Sequence, residues 1–349
     1  MVGPFIESEN LRHIRGLLVV VACVAVFTLL WFLYVFYWPN TFESAQEKSF
    51  YISRGETFTQ VVDSLKTQGI IRSRSLFTLV ANLHGGTSRV QVGKFIIRNG
   101  ASNNEVFAVL KNGKGAVLIP VTIREGLTIR RQARVFGRQL GIDTTRYARL
   151  ANDSAFVQSL GVPGGSLEGY LFPNTYAFAW QADERDILRR LVDQFFKEYN
   201  DTLRQRASAR GLTTREVLCM ASIVEGETHL DDERPIVAGV YYNRLRKRMY
   251  LDADPTIQYI LEGGPRLLSR SDLKLLSPYN TYLHFGLPPG PVNNPGLAAV
   301  KAAIEPARHQ YLYFVANGKG GHWFSSTYDE HLRNVYKARR LRALAGKGS

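Results

Sequence analysis

Cysteine is nearly absent: Cys23 and Cys219 are the only two in 349 residues. A disulfide-stapled scaffold and a CxxC zinc module are therefore excluded. The chain also has no HExxH, no zinc finger and no nucleic-acid-binding motif. Acid is in deficit, with 30 Asp and Glu against 44 Lys and Arg, a net charge of +14. Residues 1–38, with Glu7, Glu9, Arg12 and Arg15, sum to zero, so the whole excess falls on 39–349. A basic balance of this size suits an anionic membrane surface or an anionic wall polymer, and without a motif nucleic acid is not expected. Part of it lies in the tail Lys337, Arg339, Arg340, Arg342 and Lys347, which reads equally well as a solvated helix end. What remains is an ordinary globular mixture, 45% hydrophobic and 11% aromatic, long enough for about two domains.

Gly16 to Trp38 carries no charge over 23 residues. As a helix it spans about 35 Å, enough to cross a bilayer with some tilt. Trp31, Tyr34, Tyr37 and Trp38 gather toward its C-terminal end, where an aromatic belt forms. Arg12 and Arg15 precede it, while Glu43 and Glu47 follow before Lys48. The positive-inside rule puts residues 1–15 in the cytoplasm and 39–349 outside. The run is longer than a signal-peptide core and lacks a small-x-small cleavage site. VVAC at 20–23 loosely resembles a lipoprotein box, but 15 residues of apolar chain continue past Cys23. An uncleaved anchor is expected.

Residues 39–48 read as a short polar stalk and 49–118 as a small α/β module. Within it a strand, a glycine turn and a capped helix occur twice, at 50–71 and 92–114, with Thr57 and Ser102 as caps. A weaker echo follows at 121–137. This pattern resembles the LysM fold, a small module that often holds N-acetylated glycans. Residues 119–349 form a larger mixed domain with helices expected at 128–140, 184–210, 214–225, 232–248 and 328–344. YLYFV at 311–315 reads as a buried strand. GLPPGPVNNPG at 286–296 cannot form regular structure, and long ordered loops are often functional. The fold class is thus α+β, with a transmembrane helix, a small LysM-like α/β module and a larger mixed α+β domain.

The most informative stretch is Thr213 to Asp232, TTREVLCMASIVEGETHLDD. Thr213-x-x-Glu216 is a capping box that starts a helix, and Val217 to Val224 are apolar almost all round, so this helix is buried. Glu225 follows, then Gly226 as a natural helix stop. At 100° per residue Glu225 lies within about 20° of Leu218 and about 40° of Ala221, on an apolar stripe. Burial disfavours its charged form and the helix dipole pushes the same way. A carboxylic acid still protonated near neutral pH is what general-acid cleavage of a glycosidic bond requires. The plainer alternative is a structural pairing of Glu225 with an arginine. A metal held by Glu225 and His229 needs a helix running through Gly226, which the glycine argues against. Asp232 reads as the cap of the next helix.

In order along the chain stand Leu167-Glu168-Gly169-Tyr170-Leu171-Phe172-Pro173, Ala221 to Thr228 (ASIVEGET), Asn243-Arg244-Leu245, Asp254-Pro255-Thr256, Ser277 to Tyr282 (SPYNTY), Gly286 to Gly290 (GLPPG), and Tyr311 to Val315 leading to Gly320-Gly321-His322. With these motifs in register the chain resembles the MltG (YceG-like) family of endolytic murein transglycosylases over most of its length. Asn174 and Asn293 depart from the family pattern. The resemblance implies lytic cleavage of the β-1,4 bond between N-acetylmuramic acid and N-acetylglucosamine, giving 1,6-anhydro ends and terminating strand elongation. It places the catalytic acid on Glu225, which would then act as base toward the sugar's own C6 hydroxyl. A second carboxylate at the hydrolase spacing is not required. Glu227, Asn243, Asp254, Asn280, Thr281, Tyr282 and His322 are the candidate substrate contacts. No metal or cofactor is expected. The implied partners are peptidoglycan strands, the inner membrane and wall synthases. A muramidase pairing Glu225 with Asp254 or Glu168, and a non-catalytic wall-binding scaffold, are the rival readings.

Overall fold

The computed structural model describes residues 5–42, 45–85, 90–112, 116–261 and 263–345. Glu43 and Lys347, the residues at 113–114 that close the second repeat, and the side chains of Glu7, Glu9, Arg12 and Arg342 lie outside the described residues. The chain divides into two compact units, 1–119 with 179–181, and 120–178 with 182–349.

The first unit opens with helix α1 (Phe5–Tyr37), whose stretch His13–Tyr37 is long and apolar enough to cross a membrane. Strand β1 (Glu47–Ile52) pairs antiparallel with β2 (Gly93–Arg98), Phe50 facing Phe95. Between them run α2 (Phe58–Thr67), opened by the Thr57–Gln60 capping box, and α3 (Arg74–Leu83), capped by Ser73; α4 (Asn103–Asn112) follows β2. The repeat pattern does not predict α3. Phe50, Val61, Leu65, Phe77, Phe95 and Phe107 close one apolar core.

The expected stalk at 39–48 is corrected by the structure. Asn40 is buried, exchanges backbone hydrogen bonds with Ala101 and Gly100, and donates its amide to Asn103 Oδ1 at 3.2 Å. Phe42 is tied to the side chain of Asn99, and β1 already begins at Glu47. Val35 and Phe36 of α1 pack on Val80, and Asn103 donates to the Val35 carbonyl at 2.9 Å. The last helical turn thus belongs to the module, because the Val35 carbonyl and the Val35 and Phe36 side chains find partners there.

In the second unit β3 (Ile119–Thr122) pairs with β4 (Thr175–Phe178), with the helices α5 (Ile129–Leu140), α6 (Thr144–Leu150) and α7 (Ser154–Ser159) between them. The echo at 121–137 is therefore no third copy of the module repeat: its strand pairs with β4 and its helix packs on α6. The helix expected over 184–210 is two, α8 (Glu184–Glu198) and α9 (Asp201–Ala209), because Asn200 leaves the helix to cap α9 through Leu203 N.

At the centre lies α10 (Thr214–Glu227), packed against α9, α11 (Arg234–Arg246), α12 (Asp254–Ile260) and α13 (Leu297–Ile304). Its residues from Val217 to Glu225 are buried without interruption. Gly226 does not stop the helix. Thr228 ends it, and Gly226 is needed for space, since a Cβ there would lie 2.6 Å from the Pro255 ring. Nor does Asp232 cap α11: Glu233 stands at that position without a side-chain cap, and Pro235 occupies the first turn, where a missing N–H costs nothing. The expected strand at 311–315 is shorter and less buried. Strand β5 (Tyr313–Ala316) pairs, among the described residues, with β6 (His322–Ser325) alone, and α14 (Tyr328–Ala345) packs on this hairpin.

Candidate active site

The last turn of α10 carries Glu225 into a pocket of about 560 Å³ lined by residues 122–125, 173–175, Glu225, His229, Asp231 and Arg234. Glu225 is 2% exposed, and each of its oxygens has one donor. Oε1 accepts from Arg234 Nη2 at 3.1 Å, and Oε2 accepts from the Gly296 backbone N–H at 3.0 Å. Arg234, itself buried, stands at the start of α11. The same Nη2 lies 3.1 Å from Glu125 Oε2, and Nη1 pairs with Asp231.

Three stretches far apart in sequence assemble this arrangement. The loop after β3 passes closely over Glu225 at Gly126, whose φ of +73° suits glycine and whose Cβ position lies 3.6 Å from Glu225 Cγ. The irregular stretch 286–296 delivers Gly296. Its Asn294 accepts from the N–H groups of Gly169 and Leu171 and donates to the Leu127 carbonyl and to Glu168. Ser222 on α10 pins the same loop, accepting from Val292 N with its hydroxyl and from Asn293 Nδ2 with its carbonyl. A segment that makes neither helix nor strand is thus held by side chains satisfying its backbone.

Burial pushes the Glu225 carboxyl above its ordinary range. The Gly296 N–H and Arg234 oppose that shift, and the Glu125 charge adds to it. Desolvation wins because Arg234 is not dedicated to Glu225. Three carboxylates share one guanidinium, so one proton relieves the excess negative charge, and it is best held where water is least available. The arginine pairing and the raised acid, opposed as alternatives in the sequence, are both present.

A second cluster adjoins the end of the helix. Glu227, half-buried, accepts from the Tyr241 hydroxyl at 2.6 Å, and burial raises it to about 7, with the Asp254 charge adding to the shift. Asp254 is exposed and accepts from the Tyr282 hydroxyl at 2.6 Å. His322 is bound through Nδ1 to Glu233 at 2.7 Å, and Glu233 also accepts from Thr228, the C-cap of α10. Glu225, Glu227, Asp254, Tyr282 and His322 therefore gather about one helix end.

Three expected contacts have structural uses instead. Asn243 donates to the His309 and Tyr311 carbonyls, both at 2.9 Å. Asn280 donates to the Leu273 and Leu275 carbonyls and accepts from Tyr282 N. Thr281 accepts from Ala253 N and bonds to the Thr256 hydroxyl, fixing the segment that presents Asp254. Glu168 is buried, accepts from Ile129 N at the start of α5, and is pushed up to about 8 by burial. It shows no route to a substrate.

The sequence reading missed Glu125, Arg234 and Gly296. Glu125-Gly126 lies within 121–137, where the strand, glycine turn and helix pattern masks it. The signal for Arg234 was a single cation beside Asp231, Asp232 and Glu233. Gly296 acts through its backbone and leaves no side-chain signal.

A buried acid at the end of a central helix, poised in an open pocket, defines a candidate general-acid enzyme. Residues 50–337 match the YceG-like family, and the chain belongs to it. An endolytic murein transglycosylase of Bacillus subtilis (strain 168) is 28% identical over 295 residues, covering 80% of this chain and 81% of that protein. One from Streptococcus pneumoniae D39 is 28% identical over 318 residues, 81% of this chain and 57% of the longer relative. The crystal structure of a yceG-like protein from Listeria monocytogenes superposes with a TM-score of 0.61 at 27% identity, covering 83% of this chain and 99% of that one.

Proposed function

We propose that this chain is a lytic transglycosylase that cuts peptidoglycan strands internally at the bond from N-acetylmuramic acid to N-acetylglucosamine. The observation that carries the reading is Glu225: a buried acid, raised above its ordinary range, at the wall of an open pocket. Glu225 gives its proton to the bridging oxygen as an oxocarbenium-like state forms. Its conjugate base then takes the proton of the muramyl C6 hydroxyl, whose oxygen closes onto C1. The acid is restored and no water is consumed. The Gly296 N–H and Arg234 stabilise the carboxylate between the two steps. Glu125, on the same Arg234 nitrogen, provides an alternative acceptor when Glu225 is neutral. Closure within one sugar is pre-oriented, so a single residue serves both halves. Glu227, Asp254, Tyr282 and His322 are assigned to the substrate.

The test is the product. Wild type should release anhydro-muramyl ends, and Glu225→Gln should lower their formation by about 10²-fold or more. Reducing ends would refute lysis in favour of hydrolysis. Unchanged activity in Glu225→Gln would refute the assigned acid and support a binding scaffold.

The layout extends the reading. Residues 1–15 are assigned to the cytoplasm, 16–38 to the inner membrane and 39–349 to its outer side, and wall synthases are the proposed partners in ending strand growth. The module at 49–118 is read as LysM-like, supported by its strand, two helices and antiparallel strand. Residues 119–349 form the proposed catalytic domain.

A further inference from the structure

Residues 263–285 form a loop in which two buried polar side chains, Asp272 and Asn280, hold the backbone while apolar side chains stand exposed. Asp272, 6% exposed, accepts from Nη2 and Nη1 of Arg266 at 2.7 and 2.8 Å and from Ser269 N at 2.7 Å. Asn280, fully buried, ties the Leu273 and Leu275 carbonyls to Tyr282 N. Apolar side chains face outward instead: Leu267 is 96% exposed, Leu276 92%, and Phe285 53%. A loop fastened by its own side-chain hydrogen bonds, yet presenting branched aliphatic side chains to water, is built to meet something apolar. Sugar rings do not fit that description, since they are held by aromatic faces and polar groups rather than leucine. The loop also carries Arg266, Arg270 and Lys274; Asp272 is paired with Arg266, and Arg270 and Lys274 are exposed and in no ion pair with a described residue.

We infer that this loop is a membrane-surface contact: Leu267 and Leu276 enter the headgroup boundary of a bilayer while Arg270 and Lys274 engage anionic phospholipid. Apolar tips flanked by cations are the composition that interfacial segments use. The same chain carries α1, long and apolar enough to cross a bilayer, so such a surface is supplied at high local concentration.

The test uses the full chain in vesicles of phosphatidylethanolamine and phosphatidylglycerol. Cys219 is buried, so Cys23→Ser leaves no reactive thiol and Leu276→Cys accepts one environment-sensitive fluorophore. Ser208→Cys, on the exposed surface of α9, is the control. At 276 the emission should shift to the blue, and brominated lipid tails should quench most of it. Quenching should grow with the anionic lipid fraction and weaken in high salt. At 208 it should stay small. Equal quenching at the two positions would overturn the inference. So would a blue shift at 276 that appears only when glycan strands or a partner protein are added, which would reassign the loop to that ligand. Neither reading depends on activity, so failure here leaves the proposed reaction untouched.

Discussion

Replacing Arg234 by Met should move the basic limb of the pH–activity profile upward. The substitution removes Arg234, the cation that touches Glu225 at 3.1 Å among the described residues, while keeping most of the side-chain volume. With charge centres about 4 Å apart and an effective dielectric near 20, the full interaction is about 4 kcal/mol, or roughly three pKa units. That is an upper bound, because Glu125 and Asp231 hold the same guanidinium. A one-third share leaves about 1 kcal/mol, so the limb should move up by about one unit. The sign is fixed: Arg234 favours the ionised acid, and its loss keeps the proton on Glu225 to higher pH. The assay is kcat/KM for anhydro-muramyl end formation across pH 5 to 9, below the variant's melting temperature. Arg234→Lys, which retains the charge, should restore much of the original limb. If the variant turns over too slowly, carbon-13 titration of the Glu225 carboxyl reads the same shift. A limb or titration that stays in place, or moves down, would refute the charge-sharing account of this site.

Two substitutions probe the framework. Gly226→Ala brings a Cβ to 2.6 Å from the rigid Pro255 ring, and an overpacking cost of about 1–3 kcal/mol should exceed the gain of about 1 kcal/mol in helix propensity. Thermal denaturation should show a lower Tm, and an unchanged or higher one would contradict the packing of α12 on α10. Glu168, held near 8, binds a proton when folded that the unfolded chain releases above its ordinary value of 4.5. Stability should therefore fall as pH rises from about 4.5 to 8, by at most about 1.4 kcal/mol per unit from this group. Glu168→Gln should flatten that dependence in denaturant titrations, and parallel wild-type and variant slopes would exclude a protonated Glu168.

Local signals were legible wherever one segment decides its own state. The capping box at Thr213 and Glu216, the apolar run from Val217 to Val224 and the caps Thr57 and Ser102 all appear at their expected places. Misreadings arose where a distant segment decides. Gly226 reads as a helix stop because glycine usually ends helices, yet here it makes room for Pro255. Residues 39–48 read as a stalk because they are polar, yet Asn40 is polar in order to bridge buried backbone groups. Asn243 and Asn280 read as sugar contacts because they are amides within recognisable motifs, and the folded chain directs both amides to carbonyls.

The sequence by itself determined that one helix is apolar enough to span a membrane, that another is buried along its apolar run from Val217 to Val224, and that Glu225 follows that run on its greasy side. Periodicity and composition encode these properties within a single segment. Only the tertiary structure decided what surrounds that acid. Arg234, Glu125 and the Gly296 N–H come from separate stretches of chain, and a carboxyl's affinity for its proton depends on distance through space, which spacing along a sequence does not record.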